Sequence, residues 1–349
     1  MLVKHCNKSL ENNIADKVLH WFDQQGRKNL PWQQQINPYR VWLSEIMLQQ
    51  TQVKTVIPYF LRFVAQFPTI AALAKGSLDE VLKLWTGLGY YARARNLQRT
   101  AKIITEQYQQ QFPNTLEELI NLPGIGRSTA GAILSIAFNQ PTAILDGNVK
   151  RVLARFKAAD QPTWEMAEAY LPKTRSREYT QALMDLGATV CTVKQPQCHH
   201  CPLQSDCKAH HSGQELNYPA KKAKKTIPVR QTYLLMLQNS RQEIFLEKRP
   251  PTGIWSSLWS FPECNAEDIQ SWCKERYQCN IKKIKLWPRF RHTFSHYHLD
   301  ITPVNIAISH WPDQAMDDAR IKWCSLKKLP QGGFAAPIKR LLEQLQKNY

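Results

Sequence analysis

The chain has 349 residues, a formal net charge of +18 and a pI near 9.5, and 43 % of its residues are hydrophobic. Its length gives room for two domains, and its hydrophobic content predicts a globular rather than a disordered protein. No apolar run is long enough to span a membrane, and the N-terminus lacks the apolar stretch of a signal peptide, so we expect a cytoplasmic protein with no membrane contact. The positive charge favours a polyanionic partner.

The first two hundred residues predict helices with short connectors. The expected helices are 39–51, 78–84, 92–110, 126–138 and 147–157. A further short helix should begin after the N-cap pair Asn114-Thr115, because two glutamates follow in its first turn. The basic residues lie along these segments and not in one tail, which predicts a folded surface for phosphates formed by Arg93, Arg95, Arg99, Lys102, Lys150, Arg151, Arg155 and Lys157.

Glu45 is a candidate proton donor in the first of these helices. Its helical neighbours at three and four residues include no cation; they are Val41, Trp42, Leu48 and Gln49. A carboxyl group on such an apolar face loses solvation, so its pKa should rise. The alternative is an ordinary surface glutamate.

A glycine-rich turn follows at residues 122–126, with the sequence Leu-Pro-Gly-Ile-Gly, between two predicted helices. Gly124 and Gly126 permit a tight turn whose backbone amides point outward and can bind phosphate. Such a hairpin would hold a DNA backbone without reading its sequence. Alone, the pattern is also typical of a plain interhelical turn.

Asp146 opens the predicted helix 147–157 in the segment Leu145-Asp146-Gly147-Asn148. It is expected to cap that helix, and the cap amides should lower its pKa and keep it ionised. An ionised carboxylate facing a sugar can stabilise the positive charge that develops on the ring. Paired with a protonated Glu45, it suits glycosidic bond cleavage.

Four cysteines, Cys191, Cys198, Cys201 and Cys207, have the spacing C-x6-C-x2-C-x5-C. A buried thiolate set of this kind needs a metal to neutralise its charge. The single C-x2-C unit favours a [4Fe-4S] cluster over zinc, which more often uses two such units. Zinc remains an alternative because His199 and His200 lie in the same loop, and an unmetallated loop is the third possibility.

The period of the sequence changes beyond residue 220. The basic segment 221–225, followed by Pro228, reads as a linker. Strands are expected at 233–237 and 243–248, around a turn at 239–240, with more strand-like sequence in 290–308 and a closing helix at 336–346. The second domain is therefore predicted to be α+β.

The hairpin, the aspartate and the cysteine loop together resemble the endonuclease III superfamily of helix-hairpin-helix DNA glycosylases. Residues 43–52, 87–93 and 145–148 are similar to its MutY family of adenine DNA glycosylases, and the likeness runs over nearly the whole chain. It implies an all-α glycosylase domain with a [4Fe-4S] cluster, and removal of adenine mispaired with 8-oxoguanine or guanine in double-stranded DNA.

The resemblance also implies roles for individual residues. Glu45 would protonate the leaving base, Asp146 would stabilise the oxocarbenium-like sugar, and Asn148 would orient the water or Asp146. Ser128 stands where bifunctional lyases of the superfamily carry a Schiff-base lysine, which implies hydrolysis with little strand cleavage. Trp32 and Ser128 would line the base pocket.

DNA contacts are implied at the hairpin and at two other motifs. Residues that match Gln50, Leu88 and Tyr90 fill the gap left by the extruded adenine in the family, and a wedge with a stacking ring offsets part of the energy of base flipping. Core packing is the alternative for Leu88 and Tyr90. The full expected set is Leu122, Gly124, Gly126, Gln50, Thr51, Leu88 and Tyr90.

The second domain resembles the Nudix fold of 8-oxo-dGTP hydrolases, through residues 246–250 and 253–263. The acidic magnesium-binding helix of those enzymes is missing, which leaves damaged-base recognition as the expected role. Phe294, Ser295 and His296 match the loop that reads 8-oxoguanine in the MutY family, and Ser295 could hydrogen-bond the altered edge of the lesion. The alternative is an exposed strand serine.

We therefore expect a multidomain monomer: a helical glycosylase domain at 1–215 that includes the 191–207 loop, a basic linker at 216–230, and a Nudix-like lesion-recognition domain at 231–349. On DNA it would associate with the nucleoid. One rival is an endonuclease III-type lyase acting on oxidised pyrimidines, which Ser128 and the second domain oppose. Another is a zinc DNA-binding module without catalysis, which the Glu45/Asp146 pair opposes.

Overall fold

The computed structural model describes residues 5–220, 226–312 and 320–347, with side chains from residue 14 onward. The chain folds into two compact units: residues 1–75 with 96–223, and residues 76–95 with 224–349. The segment 221–225, expected to be a linker, lies outside the described residues. Within the described ranges, no helix is long and apolar enough to cross a membrane.

The described part of the first unit is helical, as predicted. In chain order the helices of the N-terminal two-thirds of the protein are α1 His5–Gln25, α2 Pro38–Leu48, α3 Val53–Gln66, α4 Ile70–Lys75, α5 Leu78–Trp85, α6 Ala92–Gln107, α7 Leu116–Ile120, α8 Arg127–Phe138, α9 Gly147–Lys157, α10 Trp164–Ala169, α11 Ser176–Thr189 and α12 Lys208–His211. Of these, α5 and the first turn of α6 belong to the second unit.

The helix ends follow local chemistry. Thr115 caps α7 by accepting a hydrogen bond from the Glu118 backbone amide at 3.3 Å, which confirms the predicted cap. Two predicted helices end earlier than expected: α2 stops at Leu48 and α6 at Gln107. In both cases a residue just beyond the end has a left-handed backbone conformation, Gln50 at φ 58° and Gln109 at φ 51°, which a right-handed helix cannot continue through.

The second unit is built on a mixed eight-stranded sheet. Its strands are β1 Val229–Gln238, β2 Ile244–Lys248, β3 Trp259–Ser260, β4 Glu263–Cys264, β5 Asn280–Leu286, β6 Phe290–Thr293, β7 His298–His310 and β8 Ile321–Cys324. The main order is β3-β2-β1-β7-β5, with β4 on β1, β6 on β7 and β8 on β2. Among the strand pairings of the described residues, β1–β7 is parallel and the others are antiparallel. The predicted hairpin strands are confirmed within β1 and β2.

Helices cover the sheet and complete this unit. Helix α13 Ile269–Tyr277 packs its buried Cys273 into an apolar core with Leu235 and Phe245 of the sheet, and the closing helix α14 Ala336–Lys347 confirms the predicted C-terminal helix. Helix α5 and the turn that follows it belong to this unit, because residues in both bond to the C-terminal part of the chain. For example, the Tyr91 hydroxyl donates to the Phe334 carbonyl at 2.8 Å, and Lys248 pairs with Asp79 at 2.7 Å.

Candidate active site

Glu45 on α2 and Asp146 at the start of α9 are brought together in the first unit. Glu45 is largely buried but keeps part of its surface accessible, and its helical neighbours Trp42 and Ile46 are buried. Burial, followed by the nearby carboxyl group of Asp146, raises the pKa of Glu45 to about 8. The predicted rise is confirmed, so Glu45 keeps its proton at neutral pH.

Asp146 caps α9, as predicted. Its Oδ1 accepts hydrogen bonds from the backbone amides of Asn148 at 3.0 Å and Val149 at 2.8 Å. These amides do lower the pKa of Asp146, as predicted, but the predicted net lowering is wrong. Desolvation raises the pKa of Asp146 by more than these amides and the positive charge of Arg151 lower it. The pKa of Asp146 is therefore raised above its usual value. The reason is that Asp146 is half-buried near Glu45. The sequence alone does not reveal this burial.

Arg151 connects the start of α9 to the cysteine loop. Its guanidinium donates to the Asn148 Oδ1 at 2.9 Å, the Gly187 carbonyl at 2.7 Å and the Cys191 carbonyl at 2.7 Å. Asn148 in turn donates from Nδ2 to Asp146 Oδ2 at 3.3 Å. The side chain of Asn148 is thus fixed from both sides, so it can hold Asp146 or a water in one orientation.

Ser128 lies next to the segment that leads into α9. Its hydroxyl oxygen accepts the backbone N–H of Leu145 at 3.1 Å, one residue before Asp146, and so ties the start of α8 to the active-site aspartate. Trp32 lies in a short 3-10 helix, Pro31–Gln33, and is buried with its ring edge-on to Phe60 at 5.5 Å. Its role in a base pocket stays a prediction.

The hairpin between α7 and α8 uses its two glycines differently. Gly124 has φ 81°, and a Cβ there would lie 3.0 Å from the Asn96 side chain, so the turn requires glycine. Gly126 is the N-cap of α8 at φ −89°, and a Cβ there would meet nothing within 4 Å. Any residue could adopt that conformation. Its glycine therefore leaves the helix N-terminus uncovered, as an amide site for an anion requires.

The other expected DNA contacts differ in exposure. Gln50 is exposed and Thr51 is half-buried in the turn after α2. In the second unit Tyr90 is 51 % exposed at φ 49°, whereas Leu88 is only 6 % exposed. Arg93 braces their turn by donating to the Leu88 and Gly89 carbonyls. Tyr90 is therefore open to a ligand, and Leu88 is packed in the free protein.

The four cysteines converge on one small cavity. Cys191, Cys198, Cys201 and Cys207 all line it, and the thiol of Cys201 is influenced electrostatically by the other three. Burial raises the pKa of Cys198 to about 11 and of Cys201 to about 12. These thiols are neutral without a metal, and a cation that binds them must displace their protons. A four-thiol set suits an iron–sulfur cluster or tetrahedral zinc.

A different histidine from those expected lies beside the thiols. His210 and Glu215 line the cavity and hydrogen-bond to each other at 2.7 Å, and with Cys198 they form a group of possible metal ligands. His199 and His200 instead contact each other, with ring centroids 4.1 Å apart and the ring planes tilted by 51°. Both lie exposed on the short 3-10 helix Cys198–His200 and do not line the cavity, whereas His210, three residues after Cys207, does.

The expected phosphate surface also needs correction. Arg155 is 3 % exposed and donates to the Cys191 Sγ and to the carbonyls of Thr192 and Tyr218, so it braces the cysteine loop. Arg93 is 8 % exposed and Arg151 bonds to backbone carbonyls. These three arginines bind the protein itself. Sequence reasoning missed the connection, although Arg151 and Arg155 are spaced four residues apart on one face of α9.

The expected lesion-reading loop is a tight turn between β6 and β7. The Phe294 amide donates to the Tyr297 carbonyl at 2.9 Å, which leaves Ser295 and His296 exposed at the tip. The Phe294 ring packs against Trp255 and His292, with centroids 5.4 and 4.7 Å away. The packed ring of Phe294 thus supports a turn that presents the Ser295 hydroxyl and the His296 imidazole to solvent.

Two family models match the chain. That of the HhH-GPD superfamily base excision DNA repair protein covers residues 43–175, and that of the NUDIX domain covers 232–344. Solved structures share the helical fold: a thermostable thymine-DNA glycosylase with TM-score 0.55 and 24 % identity over 59 % of this chain and 99 % of its own, and endonuclease III in a DNA complex with TM-score 0.52 and 24 % identity over 61 % and 99 %. The chain thus has a helical HhH-GPD domain of the base excision DNA repair type, followed by a Nudix-like second domain.

Curated relatives narrow this class. The adenine DNA glycosylase of Buchnera aphidicola subsp. Baizongia pistaciae is 42 % identical, over 95 % of this chain and 96 % of its own length. That of Rattus norvegicus is 32 % identical over 95 % and 79 %. The chain belongs to the adenine DNA glycosylase family.

Proposed function

We propose that this enzyme hydrolyses the N-glycosidic bond of adenine mispaired with 8-oxoguanine or guanine in double-stranded DNA. The family supplies the adenine glycosylase activity, and the proposal adds the mispair and the residues. The observation that carries the chemistry is the Glu45–Asp146 pair, in which Glu45 has a pKa of about 8. A carboxylic acid that is still protonated at neutral pH, beside a second carboxyl group, matches the requirements of general acid catalysis of glycosidic cleavage.

The first step is protonation of the leaving base. Glu45 transfers its proton to a ring nitrogen of adenine, and the electrons of the bond to C1′ move onto the base. The sugar becomes oxocarbenium-like, and this positive charge favours the ionised form of Asp146, which stabilises it. Water then adds to C1′, and its proton returns to the Glu45 carboxylate or to solvent. Asn148, fixed by Arg151, orients that water or the Asp146 carboxylate.

Ser128 supports hydrolysis without a covalent intermediate. A serine has no amine with which to form an imine, and its hydroxyl oxygen is engaged by the Leu145 amide. We therefore assign a monofunctional glycosylase that leaves the strand intact at the abasic site. In this assignment Trp32 and Ser128 border the base pocket.

DNA binding is assigned to the hairpin and to two turns. The open N-terminus of α8 at Gly126 offers amides to a phosphate, with Leu122 and Gly124 forming the turn that presents it. Gln50, Thr51 and the exposed Tyr90 would contact the distorted duplex. Leu88 would act as a wedge only if DNA binding uncovers it, since it is 6 % exposed in the free protein.

A [4Fe-4S] cluster is proposed at Cys191, Cys198, Cys201 and Cys207. The four thiols around one cavity fit such a group, and Arg155 and Arg151 bond the same loop to α9. When bound, the cluster takes up four thiolate charges and cross-links the loop. Freshly purified protein should contain about four irons and little zinc; stoichiometric zinc without iron would instead support a zinc site.

Recognition of 8-oxoguanine is assigned to Phe294, Ser295 and His296 in the second unit. The exposed Ser295 hydroxyl and His296 imidazole provide hydrogen-bonding groups on a turn held rigid by the Phe294 ring. We propose a monomer in which residues 1–215 carry the glycosylase and 231–349 the lesion reader. The nucleoid is its proposed location in the cell.

Single-turnover adenine release tests the proposed function. Duplexes with adenine opposite 8-oxoguanine, guanine or thymine are compared, and strand integrity is followed before and after mild alkali. We expect release from the first two duplexes only, with strand breaks only after alkali. Equal release opposite thymine, or breaks without alkali, would contradict the mispair and the monofunctional assignment respectively.

A further inference from the structure

A basic groove of about 470 Å³ lies in the second unit, away from the lesion-reading turn. The connection between β5 and β6 forms one wall and the exposed face of α14 the other. Its floor carries Trp287 and Phe290, and its rim carries Lys285, Arg340 and Lys347. Aspartate and glutamate are absent from the described residues that line it.

The three rim cations have no acidic partner in the part of the chain that the structure describes. Among the described residues, none of Lys285, Arg340 and Lys347 forms an ion pair, although Arg340 stacks over the Phe290 ring at 5.0 Å. Elsewhere in the same unit, cations such as Lys248 and Arg249 are paired with carboxylates. The groove therefore offers uncompensated positive charge over an apolar floor, and its electrostatic complement is an anion.

The groove is continuous with the lesion-reading turn through β6. Residues 280–299 contain no aspartate or glutamate, and β6 runs from Phe290 in the groove to Thr293 beside the turn. Four residues of extended strand cover roughly 13 Å, which corresponds to about four base pairs of duplex at 3.4 Å each. Arg289 and Arg291, on either side of Phe290 in the sequence, are both held by the buried carboxylate of Asp300.

We propose that this groove binds backbone phosphates of the DNA about four base pairs from the lesion. The inference rests on the proposed reading of the lesion by Ser295 and His296, because that reading fixes where the duplex lies on the second unit. The rim cations would contact phosphates and set the register of the duplex without reading its sequence. An acidic protein segment is the other anion that fits, but the continuity with the lesion turn favours DNA.

The test compares two variants with equal loss of charge. The groove variant is Lys285→Gln/Arg340→Gln/Lys347→Gln. The control is Lys274→Gln/Lys327→Gln/Lys328→Gln, which removes three exposed lysines of the same unit outside the groove. Affinity for a 30-base-pair duplex is measured over a range of salt concentrations. The duplex contains 8-oxoguanine opposite a 2′-fluoro-deoxyadenosine, which resists cleavage of its glycosidic bond. Each lost phosphate contact should flatten the plot of log affinity against log salt by about 0.9.

We expect the groove variant to lose up to about 2.7 of this slope and the control much less. Two shortened duplexes are then compared, each ending two base pairs beyond the lesion, one on its 5′ side and one on its 3′ side. For one of the two, the difference in affinity between groove variant and wild type should vanish. A groove variant that behaves like the control, or an effect that survives both truncations, would overturn the proposal. If loss of the Arg340 stacking impairs folding, Lys285→Gln/Lys347→Gln makes the same test.

The DNA-binding role of the groove and the proposed glycosylase function are tested by separate measurements. Adenine release by the wild type is measured independently, so a protein that releases adenine but binds DNA without the groove refutes only the groove. A protein that releases no adenine refutes the proposed function whatever the salt dependence shows.

Discussion

Replacing Glu45 by glutamine should stabilise the folded protein while removing adenine release. The pKa of Glu45 is about 8 in the folded protein and near its ordinary value of 4.5 when unfolded. Between these values the unfolded chain gives up a proton that the folded protein keeps, so the free energy of unfolding falls as pH rises. Glutamine has nearly the same shape and no ionisable proton, so the variant escapes this loss.

The magnitude follows from the shift. Each pKa unit is worth about 1.36 kcal/mol, so the whole shift corresponds to at most about 5 kcal/mol above pH 8. The partial solvent access of Glu45 makes this an upper value. Between pH 5 and 8 the advantage of the variant should grow by up to about 4 kcal/mol and then stay constant. Loss of the general acid should slow adenine release by about 10²–10⁴-fold.

Thermal midpoints of the metal-loaded proteins from pH 5 to 9, without DNA, check the stability effect. Glu117→Gln, an exposed change on α7, controls for the loss of a carboxylate. In the wild type, the single-turnover rate should fall as pH rises through about 8. A difference in midpoint between variant and wild type that does not widen with pH would refute the buried, protonated Glu45, and a near-normal rate in the variant would refute its catalytic role.

Four further substitutions test separate parts of the site. Asp146→Asn should fold with an equal or higher thermal midpoint, because asparagine caps helices as well as aspartate and burial raises the pKa of Asp146, but it should lose adenine release with the charge. Gly126→Asp should stabilise by a few tenths of a kcal/mol as a better cap and yet weaken duplex affinity, by placing a carboxylate where a phosphate is expected. Arg151→Gln should lower both stability and iron content, since the Cys191 and Gly187 carbonyls lose their donor. Ser295→Ala should reduce the preference for 8-oxoguanine over guanine several-fold, at about 0.5–1.5 kcal/mol per lost hydrogen bond, and an unchanged ratio even in the double variant with His296→Ala would contradict the assignment.

Local signals account for the parts of the fold that the sequence predicted. Caps such as Thr115 and Asp146, and the period change near residue 220, depend on neighbours in the chain. The ends of α2 and α6 were placed too late because left-handed residues there are glutamines, which carry no turn signal. That residues 76–95 form one compact unit with the sheet could not be foreseen, since it depends on long-range bonds such as Tyr91 to Phe334.

Within the site, residue types were easier to predict than their environments. The apolar residues around Glu45 belong to its own helix and are visible in the sequence, so the direction of its pKa shift could be derived. The pKa of Asp146 depends on burial by other helices, and the basic spacing of Arg151 and Arg155 does not reveal that both face the cysteine loop. In each case the deciding partner is distant in sequence.

Two residues of the candidate site are ones that stability alone would not favour. Glu45 destabilises the folded protein at neutral pH, and Gly126 leaves a helix without a side-chain cap although its backbone would accept one. Neither choice is explained by packing, and both fit the proposed chemistry on DNA: a retained proton in one case and an open phosphate site in the other. Asp146 is the opposite case, because a single side chain serves as helix cap and as proposed charge stabiliser. Its variant Asp146→Asn is therefore the one that separates folding from catalysis at a single atom, while Glu45→Gln and Gly126→Asp should each move stability and function in opposite directions.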